Sequence, residues 1–466
     1  MDLEILESSC QGFTSNIPGE SRPLSHEELA EFVQALEQAR ERMGHLYVTH
    51  QYLGRQAAIG CVALEITQRC NLDCTLCYLS ENSEHVKDIP LQEIFRRLEG
   101  IRKHFGVGTV VQITGGDPTL RERKELIVIV RRTRELGLHP ALFTNGIKAS
   151  RKLLIELAEA GLNDVAFHVD LTQQRKGFKT EKELNAIREE YIERGRGLPI
   201  NVIFNTTVHK ENFSEIPDLV RFFIKHADVV SMASFQLQAD TGRGLLRKRE
   251  VIISLESVRE KINEGAGTRL PWDTILIGHP QCHKYAMTLE ANGHLYPVVD
   301  DQELYGDFLR DFCHVMIDRR ASRKEIIWQY LKAACRKPIW YWRGLKYSLS
   351  RLWNMKNDLL AARGQVNKLS FFIQNFMDAD SLDPERINAC SFMVMTDDGP
   401  ISMCAHNARR DEFILKPLEI ETGQGKVTWI PLRETTTPRK AARQKPFHDP
   451  AITFASFSEG CRRCGA

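Results

Sequence analysis

LEITQRCNLDCTLCYLS, residues 64–80, is the stretch on which the fold turns. Its apolar start belongs to a run, Val62–Thr67, that reads as a buried strand. Cys70, Cys74 and Cys77 follow directly, spaced CxxxCxxC on a loop at the strand's C-terminal end. A cubane cluster has four irons, and each needs a thiolate. Three neighbouring cysteines hold three irons and leave the fourth open to chelate a small ligand, as an open position does in other catalytic metal sites. A zinc knot is the competing account. It needs four ligands, usually as two paired units, and no fourth Cys or His stands at a suitable spacing nearby.

Outward from this loop, to about residue 282, short β-like runs alternate with amphipathic helices. Leu91, Ile94, Phe95, Leu98 and Ile101 mark one helix face. Thr109–Thr114, Pro140–Thr144, Asp164–Val169, Pro199–Val208 and Asp228–Phe235 read as further strands. Gly137 and Gly161 close the helices between them. Such alternation implies a parallel sheet with right-handed crossovers. Five or six units suit an α/β fold, a partial (β/α)6 TIM-like barrel, with its chemistry at the C-terminal ends of the strands. Upstream, Ser25 and Glu28 form a capping-box pattern, with Leu29, Phe32, Val33 and Leu36 behind it at helical spacing.

Gly115-Gly116-Asp117-Pro118 follows the second strand. Glycines permit close backbone approach to a ligand, although GGDP alone reads as a tight turn. The triad, with Leu76 just before its last cysteine, resembles the CxxxCxΦC motif of the radical S-adenosylmethionine (SAM) superfamily, and GGDP resembles that family's GGEP with Asp for Glu. The resemblance covers about residues 61–282. It implies a [4Fe-4S] cluster on Cys70, Cys74 and Cys77 whose open iron binds SAM, and reductive cleavage of SAM to a 5′-deoxyadenosyl radical. By the same resemblance Leu76, Gly115, Gly116, Asp117, Pro118 and Asn145 line the SAM pocket. Asp170 and Asn205 reach its ribose or methionine part, and Asp117 accepts from its amino group.

Four cysteines remain near the C-terminus. Cys390 and Cys404 flank Gly399 as C-x8-G-x4-C, and Cys461-x-x-Cys464 ends the chain. SPASM-type auxiliary domains use a similar hairpin followed by CxxC, which implies a second [4Fe-4S] cluster. A four-cysteine zinc site satisfies the same count. Cys282, followed by Gly293, reads as a degenerate copy of that hairpin. His279, His283, Cys313 and Cys335 lie near it in sequence at irregular spacing, which favours ordinary packing roles. Cys10 and Cys61 read as buried small apolar residues.

Composition is that of a globular protein: 42% apolar, 27% charged, net charge +2 over 466 residues. It points to no nucleic acid partner. No apolar run is long enough to span a bilayer, the start MDLEILESSC is acidic, and the chain reads as cytoplasmic. Residues 310–363 carry thirteen Lys or Arg against four Asp or Glu, interleaved with Trp328, Trp340, Trp342 and Trp353. A cationic aromatic segment suits a membrane surface or a phosphate-bearing substrate. The plainer account packs the tryptophans into a core. The expected organisation is an N-terminal cap (1–60), a radical SAM barrel (61–282), a basic aromatic helical segment (283–365) and a C-terminal α+β auxiliary-cluster domain (366–466). Together with Thr241–Gly244 (TGRG), Gly278–Cys282 (GHPQC) and the stretch 390–407, this layout resembles the group with archaeal tetraether lipid synthase and hydroxymethylpterin methyltransferase-like proteins. The resemblance implies C–H activation on a lipid or other apolar substrate, for C–C bond formation or methylation. A flavodoxin- or ferredoxin-type electron donor is expected, and the basic aromatic segment adds the reading of a cytoplasmic enzyme peripheral to the membrane. The alternatives are a SPASM-type peptide-modifying enzyme and a non-catalytic iron–sulfur or zinc scaffold. No residue stands out as a hydrogen-atom donor beyond the bare candidate Tyr285.

Overall fold

The computed structural model describes residues 22–52, 60–243, 253–316, 322–422 and 425–432. Helix α1 (His26–Met43) starts on the expected capping box. The Ser25 backbone N–H donates to Glu28 at 2.9 Å and the Glu28 N–H to the Ser25 hydroxyl at 3.1 Å. Phe32 and Leu36 are buried, but Val33 is 41% exposed, because one residue along a helix turns about 100° away from the packed face.

Strands β1 (Cys61–Thr67), β2 (Val110–Gly115), β3 (His139–Thr144), β4 (Asp164–His168), β5 (Asn201–Val208) and β6 (Val230–Leu237) pair side by side in that order, all parallel. Every residue of β1 is buried, as expected of a parallel strand covered on both faces. Amphipathic helices return the chain between strands. In α2 (Leu91–Phe105), Leu91, Ile94, Leu98, Ile101 and Phe105 face inward; Glu93 and Arg97 are buried with them as an ion pair at 2.7 Å, and Arg96, Glu99 and Lys103 face out. Helices α3 (Arg123–Glu135), α4 (Arg151–Glu159), α5 (Glu181–Gly195), α6 (Ile216–Lys225) and α7 (Leu255–Ala266) complete the crossovers, and one continuous apolar core joins them to the sheet.

The sheet continues past residue 282. Strands β7 (His283–Ala291) and β8 (His294–Pro297) form a hairpin. Helices α8 (Gln302–Phe312), α9 (Arg323–Ala334) and α10 (Ile339–Ala361) follow, then β9 (Asn367–Gln374), β10 (Phe392–Thr396) and β11 (Gly399–Ser402). The order is β11-β10-β1-β2-β3-β4-β5-β6-β9-β7-β8. Strand β9 runs parallel to β6 and β10 parallel to β1, so eight consecutive strands are parallel. The barrel boundary expected at residue 282 therefore does not end the sheet, which takes in the five later strands β7–β11 as well.

Side chains bring the two flanks of this sheet together. Phe372 on β9 stacks on Phe392 on β10 with ring centroids 5.8 Å apart, and His283 on β7 lies 4.5 Å from Phe392. The barrel is thus closed across this seam by rings. The hairpins β7–β8 and β10–β11 sit on opposite sides of it. Each follows a cysteine, Cys282 or Cys390, and turns at a glycine, Gly293 or Gly399. This matches the echo read from the sequence.

Candidate active site

The three cysteines lie on the loop after β1, and backbone bonds lock this loop to its neighbours. Gly116 N–H donates to Thr67 O at 2.9 Å, Asp117 N–H to Arg69 O at 2.8 Å, and Thr75 N–H to Thr172 O at 2.9 Å. Tyr78 donates its hydroxyl to Gly115 O at 2.5 Å. Gly115 has φ +126°, and a Cβ there would run into the Thr67 carbonyl. A Cβ on Gly116 would meet Arg69 O. Only glycine allows the GGDP turn to lie this close to the cysteine loop.

Asp117 is buried and both its oxygens are bonded within the chain. It accepts from Thr119 N–H (3.0 Å), from the Thr144 hydroxyl (2.8 and 3.0 Å) and from Asn145 N–H (2.9 Å). Any ammonium ligand shares this carboxylate with Thr119, in its own turn after β2, and with Thr144 and Asn145 at the end of β3. Asn145 in turn donates to Asn71 Oδ1 at 2.7 Å, its Nδ2 4.0 Å from Cys70 Sγ. Asp170, wholly buried, accepts from Thr172 N–H (2.9 Å) and Thr207 N–H (2.7 Å) and pairs with His168 at 2.6 Å. Burial works against the Asp170 anion, but His168 and these donors hold its carboxyl well below the usual range. Asn205 donates to His168 Nδ1 at 3.0 Å, while its buried Oδ1 has no partner. Cys70, Cys74, Cys77, Gly115–Pro118, Asn145, Asp170 and Asn205 thus gather at one end of the barrel.

Several residues of this neighbourhood carry no sequence motif. Arg410 pairs with Glu65 at 2.8 Å, donates to Gln68 Oε1 at 3.2 Å and lies over the Tyr78 ring at 4.7 Å. Burial favours a neutral Glu65, yet Arg410 and His406 hold its carboxyl down to about 2. Arg243 ties the cysteine loop to the segment after β6 through Asp73 (2.9 Å) and Glu84 (3.3 Å), and a Cβ on Gly242 would clash with the Tyr78 backbone. This gives the TGRG segment a packing role. Arg410 and Glu65 lie 345 residues apart, so only folding could reveal them.

The donors present fit a thiolate-bound cluster and SAM. The three thiols lie on one short loop, beside a glycine cradle with no room for side chains and near an unpartnered acceptor on Asn205. Among the described residues no group of three His, Cys, Asp or Glu side chains is arranged for a single metal ion. A cubane spreads its thiolates around four irons and does not require that arrangement. Cys390 Sγ donates to Phe392 O at 2.9 Å beside the seam, and Cys404 Sγ accepts from Met377 N–H at 3.4 Å. Burial raises the Cys404 thiol, assisted by the charges of Cys390 and Cys282, so Cys282 belongs to the same neighbourhood. Arg386 donates to Cys282 Sγ at 3.3 Å. Cys461, Cys464 and Cys10 lie outside the described residues. Cys61 is buried, Cys313 packs beside α1, and Cys335 meets the Tyr341 hydroxyl.

Residues 64–223 match the family model described as the radical SAM superfamily. This matched stretch, about a third of the chain, is a radical SAM domain. The chain is similar to 7,8-dihydro-6-hydroxymethylpterin dimethyltransferase of Methanocaldococcus jannaschii, with 32% identity over 186 residues, 39% of this chain and 36% of that protein. It is also similar to PqqA peptide cyclase of Bradyrhizobium diazoefficiens, with 29% identity over 180 residues, 38% of this chain and 46% of that protein. The chain thus spans less than half the length of either relative. Among solved structures, SuiB of Streptococcus suis bound to its precursor peptide SuiA is 21% identical, with TM-score 0.35, covering 44% of this chain and 46% of that one. The matched stretch contains all three triad cysteines and every residue expected at the SAM pocket.

Inside the barrel lies a cavity of about 1060 Å³. That reaches the upper limit of about 300–1,000 Å³ for small-molecule sites. Its wall is mostly apolar, with Phe143, Ile203, Met232, Met287 and Phe372 among its residues. It starts where the parallel strands start, at Cys61, Val110, Asn201 and Lys368, and it reaches Asn205. Tyr285 lines it and bonds Ser370 at 3.1 Å.

Proposed function

We propose that this chain is a radical SAM enzyme that activates a C–H bond on a lipid or other apolar substrate, for C–C bond formation or methylation. The observation that carries the substrate class is the large apolar cavity ending at Asn205, beside the candidate SAM pocket. Cys70, Cys74 and Cys77 would hold the [4Fe-4S] cluster. Gly115, Gly116 and Pro118 would let SAM lie against backbone, with Leu76, Asn145, Asp170 and Asn205 around it. When bound, these groups supply a 5′-deoxyadenosyl radical, formed with methionine as one electron breaks the C5′–S bond, and this radical takes a hydrogen atom from the substrate. Asp117 and Asp170 brace the turns around the pocket, the Asn205 Oδ1 offers an acceptor to a hydroxyl, and the apolar wall excludes water from the reacting carbon. A ferredoxin- or flavodoxin-type protein would deliver the electron. Cys390 and Cys404, with Cys461 and Cys464, would hold an auxiliary [4Fe-4S] cluster. Cys282 stands close by as a further thiolate.

The experiment is anaerobic reconstitution followed by SAM and dithionite. The expected result is 5′-deoxyadenosine, and deuterium transfer into it from a perdeuterated fatty-chain lipid. No 5′-deoxyadenosine from an intact cluster overturns the enzyme reading in favour of a scaffold. A peptide-modifying reading draws support from the likeness to PqqA peptide cyclase. Deuterium transfer from a peptide, and none from a lipid, would establish it.

A further inference from the structure

We propose that the outward face of the α9–α10 hairpin docks on an anionic lipid bilayer, and that the barrel cavity opens onto this face. The inference rests on the apolar-substrate reading, because docking would pass a chain from bilayer to cavity without crossing water.

Among the described residues sixteen large apolar side chains are exposed, and eleven of them lie on α9 and α10. On α10, Trp342, Leu345, Leu349, Leu352, Trp353 and Leu360 recur at helical spacing on the face away from the buried Trp340 and Met355. A helix apolar on both sides is normally buried on both sides. An exposed patch of this extent marks an interaction surface. The same patch forms the mouth of the cavity. Ile327, Leu331, Tyr341 and Leu345 are each between 42% and 58% exposed, and all four line the cavity.

Charge selects the partner. Residues 323–361 hold nine Lys or Arg and two acids, Glu325 and Asp358. Lys346 and Lys356 fall within the apolar stripe, and the Lys356 ammonium lies 3.7 Å over the Trp353 ring. Aromatic bodies, with cations reaching past them, suit a headgroup boundary. A second copy of this chain would set nine cations against nine across a twofold axis. No described helix is long and apolar enough to cross a membrane, so the hairpin would lie on the surface.

The test is co-sedimentation of the reconstituted full chain with phosphatidylcholine vesicles, with and without phosphatidylglycerol. The expected result is binding to the anionic vesicles, at least ~10-fold weaker without phosphatidylglycerol or in high salt. Leu349→Glu with Trp353→Glu should weaken binding at least ~10-fold and leave 5′-deoxyadenosine formation in solution unchanged. The charge variant Lys346→Glu with Lys356→Glu, which spares every apolar contact, should weaken binding as well. Failure of the wild type to sediment with phosphatidylglycerol vesicles overturns the proposal. So does a wild-type dimer that Trp353→Glu splits into monomers. Sedimentation without turnover of any apolar chain sustains docking and fails the substrate reading. Turnover of a detergent-solubilised chain without sedimentation does the reverse.

Discussion

Gly115 and Gly116 leave no space for a side chain, since an added Cβ at either meets a backbone carbonyl of the cysteine loop. Gly116→Ala should therefore displace that loop and lower 5′-deoxyadenosine formation by at least ~100-fold, measured after reconstitution, with far-UV circular dichroism unchanged. Asn205 is subtler. Its Oδ1 is buried without a partner while its amide holds His168. Asn205→Ala is expected to raise the KM for SAM about tenfold, the worth of one good hydrogen bond, and to leave iron content unchanged. Equal loss of iron would point to a structural role instead. The triad and the glycines were legible in the sequence because each position admits few residue types. Asp117 was legible only as an acid. That its oxygens brace Thr119, Thr144 and Asn145 depends on where β3 ends, and no local pattern carries that.

At the scale of elements, the buried ion pair joining β1 to the helix Arg410–Ile414 ties the first barrel strand to the C-terminal region. Arg410→Met strands the Glu65 carboxylate and should cost about 3–5 kcal/mol, read from urea denaturation, whereas Glu65→Gln with Arg410→Met should cost less. The pH dependence follows from Glu65, whose folded value of about 2 lies below its ordinary 4.5. Its contribution is fully present above about 4.5 and is lost as pH falls through about 2. Wild-type stability should decline over that window more steeply than that of the double variant. Helix and strand positions were largely legible because period 3.6 and period 2 write themselves into the chain. The sheet order was only half legible. Pairing of β9 with β6 and of β10 with β1 joins segments more than 130 residues apart, and no periodicity encodes such contacts.

At the scale of the molecule, two cysteine groups sit on one sheet. Reconstituted wild type should carry about eight irons per chain, and Cys390→Ala with Cys404→Ala about four. Four irons with one zinc in the wild type would assign the second site to zinc. Filling the cavity by Ile203→Trp should raise the ratio of 5′-deoxyadenosine to modified lipid about tenfold, as the chain is held off the reacting centre. The basic aromatic segment was legible as a cationic surface and also as a core helix, and the structure divides it between the two. Trp340 is buried, whereas Trp342 and Trp353 face outward, a difference that composition cannot express.

Parallel strands have two unlike ends, and in the proposed reaction each would admit a different reactant. The glycine cradle lies at the strand ends, while the cavity begins at the strand starts, beneath the α9–α10 hairpin. Two reactants with separate doors need not wait for one another. Initial-rate lines for SAM against the apolar chain should therefore intersect, as in random addition. 5′-Deoxyadenosine should compete with SAM alone, and a non-reactive chain analogue should compete only with the chain.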